Sequence, residues 1–173
     1  VARSVAWHRN RPRVPYLSAM ARYAAFISYS HADEHWARWL QRSLERYRIP
    51  RRLRRELGAA GKPLPTRLYP VFRDRDELAS SNDLSAAIQS ALDDSDALIV
   101  ICSPTAAASE WVNAEIRSFQ SSGRDGRIFT VVVAGSTNRA AADCAFPPAL
   151  LITEDGRTLP EPLAADPAEH ADG

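Results

Sequence analysis

The sequence predicts an α/β fold built on a doubly wound parallel sheet, and three observations carry that reading. Three continuous apolar runs, YAAFISY (23–29), ALIVICS (97–103) and IFTVVVAG (128–135), have strand length and do not alternate with polar residues, as expected of strands buried on both faces. Helical periodicity fills the stretches between them. The resulting order β-α-β-α-β-α-β, joined by right-handed crossovers, is that of a doubly wound sheet.

YAAFISY is the first strand. After it, Trp36, Trp39, Leu40, Leu44 and Tyr47 recur at helical spacing between Asp33 and Arg48 and define one helix face. RLYPVF (67–72) is a weaker second strand, which Pro70 makes short or places at an edge. From Asp83, a good N-cap, Leu84, Ala87, Ile88 and Leu92 share the next helix face. ALIVICS is the third strand. The helix after it starts near Ser109, a second good cap, and buries Val112, Ile116 and Phe119. IFTVVVAG is the fourth strand. Beyond Gly135 the pattern fades, and FPPALLI (146–152) reads as a last strand following its prolines. Residues 158–173, rich in Pro, Ala and Asp, read as a linker or disordered tail. Residues 1–19, with Arg3, Arg9, Arg11 and Arg13, read as a disordered basic extension ahead of Met20. The domain is therefore expected over 20–157.

The 173 residues amount to about one domain, and 45% hydrophobic with 25% charged residues describe a soluble globular protein. A net charge of +1 supplies no bulk attraction for nucleic acid, and no run nears the ~20 apolar residues of a membrane span. No nucleic-acid or membrane partner is expected. Cys102 and Cys144 are too few for a disulfide framework and lack metal-ligand spacing, which fits a reducing, cytoplasmic setting. RYRIPRRLRRE (46–56) holds Arg46, Arg48, Arg51, Arg52, Arg54 and Arg55. That cluster reads as a solvated face or as a contact for phosphates or an acidic partner. His31 and His35 have no third ligand near them in sequence, so no metal is expected. Neither G-x-S-x-G nor G-x-G-x-x-G occurs, and GAAGKP (58–63) lacks the phosphate-loop spacing.

Open α/β sheets bind ligands beyond the carboxyl ends of their strands, where the strand order reverses. With the order 2-1-3-4, that crevice lies between the first and third strands. Its walls are SYSH (28–31), SPTAAAS (103–109) and the first turns of the helix carrying Trp111 and Glu115. Residues i and i+4 of a helix are offset by only about 40°, so Trp111 and Glu115 share a face. A flat ring beside a carboxylate can hold a planar base while the carboxylate meets a developing positive charge. The same spacing also arises from a core ring and a solvated or dipole-stabilising acid. FRDRDELASSND (72–83), at the carboxyl end of the second strand, is either a binding lip or a solvated loop.

YAAFISYSH, VFRDRDEL and SPTAAASEWVNAEI, in that order, resemble a bacterial-type Toll/interleukin-1 receptor (TIR) domain over roughly residues 20–135. The resemblance implies a flavodoxin-like doubly wound parallel sheet in three layers. Two departures stand out: Ala24 where the family usually has an acid, and ASSN (79–82) where the loop often ends in Pro-Gly. Many such domains cleave NAD+ between nicotinamide and ribose with a glutamate in the pattern Trp-x-x-x-Glu, here Trp111 to Glu115. By that analogy Glu115 is the catalytic residue, and Phe26, Ser28, Tyr29, Ser30, Asp74, Leu78 and Trp111 contact the substrate. Each has a plainer reading as well: Phe26 as core, Tyr29 as a cap on the sheet, Asp74 as a fastening to Arg73 or Arg75.

The resemblance thus implies an NAD+ glycohydrolase or cyclase with NAD+ as substrate and no cofactor. Its products are nicotinamide and either ADP-ribose or a cyclic ADP-ribose. It further implies a bacterial defence effector activated by self-association with other TIR domains, as a homo-oligomer or filament. The competing readings are a non-enzymatic module that docks onto other TIR domains, and a nucleoside 2-deoxyribosyltransferase-like enzyme with a similar sheet.

Overall fold

The computed structural model describes residues 21–56, 64–73, 82–153, 155–160, 162 and 164–165. Five strands form one wholly parallel sheet: β1 (Ala25–Ser28), β2 (Val71–Arg73), β3 (Leu98–Cys102), β4 (Ile128–Val132) and β5 (Ala164–Ala165). Their order is β2-β1-β3-β4-β5. Phe26 is in register with Phe72 on one side and Leu98 on the other, and Leu98 with Ile128. The order reverses between β1 and β3, where the sequence places it.

The connecting helices are α1 (Glu34–Arg46), α2 (Arg51–Glu56), α3 (Asn82–Asp93), α4 (Pro104–Ala108), α5 (Glu110–Ser121) and α6 (Pro148–Leu151). Successive strand residues point to opposite faces, and the sheet accordingly divides its core in two. Phe26, Leu98, Val100 and Cys102 pack with Val112, Ile116 and Phe119 of α5 and Ala149 and Leu150 of α6. Ala25, Ile27, Tyr29 and Ile101 pack with Ala37 of α1, with Trp36, Leu40 and Leu44 half-buried against them. Burying each large side chain of these two layers is worth about 1.5–3 kcal/mol relative to exposing it. The result is the three-layer, flavodoxin-like α/β arrangement.

Several details differ from expectation. Trp39 and Tyr47 lie on the surface, because the face of α1 turned to the sheet carries Trp36, Ala37, Leu40 and Leu44 instead. FPPALLI (146–152) is not a strand. Pro148 opens the short helix α6, where its fixed φ suits a first helical residue and its missing N–H is no loss. The short helices α2 and α4 went unforeseen, and the fifth strand comes instead from Ala164–Ala165, inside the segment read as a tail, where it pairs with Thr130 and Val131 of β4. The second strand starts only after Pro70 and lies at the sheet edge, as a proline there requires.

Candidate active site

The site is assembled by three chain segments at the carboxyl ends of β1 and β3. Ser28 is the last residue of β1 and points to the α5 side of the sheet, where it is fully buried. The hydroxyl of Ser109 caps α5, accepting from the backbone N–H of Val112 at 3.3 Å. The cap fixes where the helix begins, and so places Glu115 at the level of Ser28. Ser28 Oγ donates to Glu115 Oε2 at 2.5 Å, across 87 residues of sequence. Glu115 is 9% exposed, a carboxylate withdrawn almost wholly from water beside the strand ends. One turn earlier on the same helix, Trp111 is 58% exposed, so its ring belongs to the rim and not to the core.

The opposite wall is held by a second carboxylate. Asp33, in the 3-10 turn His31–Asp33 ahead of α1, is buried, and its Oδ2 accepts from Ser103 Oγ at 2.6 Å and from Thr105 Oγ1 at 3.2 Å. Ser103 also caps α4 by accepting from Ala106 N at 3.0 Å. Asn113, buried on α5, donates to the carbonyls of Ala107 and Ser109 and accepts from Ala149 N, which joins α4, α5 and α6 behind the site. Opposite Pro104, Gly135 adopts φ +84°, and a Cβ there would lie 2.8 Å from Pro104 Cγ.

This geometry sets the buried Glu115 carboxylate one helical turn from the exposed Trp111, at the topological switch point of a parallel sheet. The profile of the TIR domain family matches residues 25–151, which spans β1 through α6. The chain belongs to the TIR-domain family. Among curated proteins, this TIR domain is 43% identical over 115 residues to the NAD(+) hydrolase ApTIR of Actinoplanes sp.. That alignment covers 66% of this chain and 14% of the relative, so the chain spans only a small part of the relative's length.

Of the residues that the sequence singles out in this TIR domain, the structure brings Ser28 and Glu115 into contact, with Trp111 on the next turn. Phe26 is fully buried and stacks on Phe72 at 5.2 Å between ring centroids, a core position beneath Ser28 on the same face. Tyr29 packs on the other face, with the α1 layer, and its hydroxyl accepts from Arg73 Nη1 at 3.0 Å. Arg73 also reaches Glu34 Oε1 at 3.2 Å. The guanidiniums of Arg38 and then Arg73 hold the Glu34 carboxyl below its usual range. Ser30 is half-buried in the lip between β1 and the 3-10 turn, and its carbonyl accepts from Asp33 N. Asp74 and Leu78 lie outside the described residues. Sequence reasoning placed SPTAAAS in the wall without giving Ser103 a role, and missed Asp33 and Asn113. The available signal was an acid and a hydroxyl placed just past the ends of the two central strands.

Among the described residues, no group of three or more His, Cys, Asp or Glu side chains could hold a metal ion, and no helix is long and apolar enough to cross a membrane.

Proposed function

We propose that this TIR domain cleaves NAD+ between nicotinamide and ribose, with Glu115 as the catalytic residue. The observation that carries the reading is the buried Glu115 carboxylate, fixed by Ser28 at the switch point beside the exposed Trp111. The relative named NAD(+) hydrolase supports it.

The chemistry asks for few groups. The nicotinamide of NAD+ is already cationic, so the C1′–N bond breaks with its electron pair going to the departing neutral ring, and no general acid is needed. What must be stabilised is the positive charge left on the ribose. A carboxylate in a water-poor crevice acts on that charge more strongly than one in bulk water, and oxocarbenium-like ribose is the species such carboxylates serve in glycoside cleavage. Ser28 orients the carboxylate, Trp111 offers a face to the nicotinamide end, and Ser30 lies at the lip where ribose hydroxyls would pass. Asp74 and Leu78, which follow β2 in sequence, complete the substrate contacts in this reading. Water capturing C1′ and releasing a proton gives ADP-ribose; capture by a nitrogen of the same molecule's adenine gives a cyclic ADP-ribose. The domain works in the cytoplasm as a self-association-activated effector of bacterial defence, its partners being other TIR domains.

The decisive experiment follows nicotinamide release from NAD+ by chromatography, for the wild type and for Glu115→Gln, at high protein concentration and with the domain fused to an oligomeriser. Release by the wild type alone supports the enzyme, and the co-product peak separates hydrolysis from cyclisation. Silence from the clustered wild type would leave the docking module as the reading to prefer.

A further inference from the structure

The segment between β1 and α1 is pinned at both ends by buried carboxylates. At its start, Ser28 is tied to α5 through Glu115. At its end, Asp33 is tied to the start of α4 through Ser103 and Thr105, residues 70 and 72 positions away in sequence. Between the pins lie Tyr29, Ser30, His31 and Ala32, of which His31 and Ala32 are exposed and Ser30 half-buried. These residues and the Ser103–Thr105 turn are the two lips of the crevice.

We propose that Asp33 is a positioning residue for NAD+ binding, holding the two lips at the separation the substrate needs. The inference rests on the NAD+ reading above. Its own support is geometric. Asp33 Oδ2 takes hydrogen bonds from two hydroxyls of the opposite lip, and Ser103 in turn caps α4, so the lip, the first turn of α4 and the approach to α1 move as one unit. Ser103 Oγ and Thr105 Oγ1 also lie 2.8 Å apart, so the single Thr105 proton is shared between Asp33 and Ser103. Such a network is worth more than its separate bonds because each member fixes the others. Among the described residues, no bond of this network reaches Ser28 or Glu115, which meet at the other end of the segment. Loosening it therefore alters how substrate is held, while the carboxylate that meets the ribose charge stays in place.

The test measures steady-state nicotinamide release and, in a Glu115→Gln background without turnover, NAD+ affinity by calorimetry. Asp33→Ala should raise KM, and Kd for NAD+, about tenfold or more with kcat within about threefold of wild type, the pattern of lost uniform binding. Asp33→Asn, which keeps an acceptor oxygen for both hydroxyls, should recover most of the affinity. Ser103→Ala should weaken binding in the same direction, and combining it with Asp33→Ala should add little, because both remove the same bond. The Asn rescue and this non-additivity separate positioning from general destabilisation. They keep the proposal testable if Asp33→Ala folds poorly.

Unchanged KM and Kd in Asp33→Ala, or a fall in kcat alone, would overturn the inference while the wild type remains an NAD+ hydrolase. A wild type that binds NAD+ without cleaving it would sink the enzyme reading and leave the affinities of the Asp33 variants to decide this one. A domain that neither binds nor cleaves NAD+ would overturn both.

Discussion

Glu115 sits on a well-formed helix, yet its carboxylate is buried, and a buried carboxylate is costly unless hydrogen bonds hold it. Ser28 supplies one of those bonds. Ser28→Ala should therefore both destabilise the fold, by about 1–3 kcal/mol for a buried polar group that loses a partner, and slow nicotinamide release by letting the carboxylate turn. Glu115→Gln keeps the shape and removes the charge. It should abolish release with little change in melting temperature, and a circular dichroism melt beside the chromatographic assay checks both. Cys102 behaves oppositely. Burial at the end of β3 pushes its thiol up from 9.0 to about 12, so the native thiol stays protonated, and slow to react with alkylating reagents, at pH 8. The linkage sign follows. Between about pH 9 and 12 the unfolded chain has released this proton and the native chain has not, so stability falls as pH rises through that window and is level below it. Melts of the wild type and Cys102→Ala at pH 8 and pH 10.5 test this, and the variant should lose less stability between the two.

At the scale of elements, the joint between β4 and the start of α4 is one that only a glycine fits. Gly135 holds a positive φ where its Cβ would also lie 2.6 Å from the carbonyl oxygen of Asp143. Gly135→Ala meets both penalties, and backbone strain of this kind alone costs about 1–3 kcal/mol. A fall of several degrees in melting temperature is expected, together with weaker substrate binding as the loop is pushed off Pro104. How legible such joints are in sequence depends on their range. β1 and β3 announce themselves because strands covered on both faces are largely apolar, whereas the apolar run of β4 overstates its burial, since Phe129 is exposed. The cap at Ser109 is equally local, a hydroxyl set before a periodic apolar stretch. β5 is two alanines whose pairing depends entirely on the neighbouring β4, so nothing in the segment itself marks it. α6 carries an apolar run that serves a strand or a buried helix equally well, and Asn113 decides the matter by accepting from Ala149 N. The Trp-x-x-x-Glu spacing makes Glu115 conspicuous. Its bond to Ser28 and the tie from Asp33 to Ser103 arise only when strand register brings distant residues together, and no local pattern encodes them.

For the molecule as a whole, hydrogen bonds tie the carboxyl end of β1 and the segment after it to α5 and to the start of α4. Ser28 and Glu115 secure the floor, and Asp33, Ser103 and Thr105 secure one wall. One turn from Glu115, Trp111 has more than half of its surface in water, an uncommon state for so large an apolar side chain. Substrate alone can cover one face of the ring; a neighbouring TIR domain could cover the rest and narrow the opening. If assembly completes the site in this way, turnover per molecule is not constant. At low concentration the rate of nicotinamide release should rise as about the square of protein concentration, as expected for an active pair in equilibrium with inactive single domains. Fusion to an oligomeriser should raise turnover per molecule and restore a linear dependence. Trp111→Ala should lower activity in both formats, because it removes the surface that substrate and neighbour share. A rate strictly proportional to concentration from the nanomolar range upward, with no gain on fusion, would show instead that one copy carries a complete site and that Trp111 serves the substrate alone.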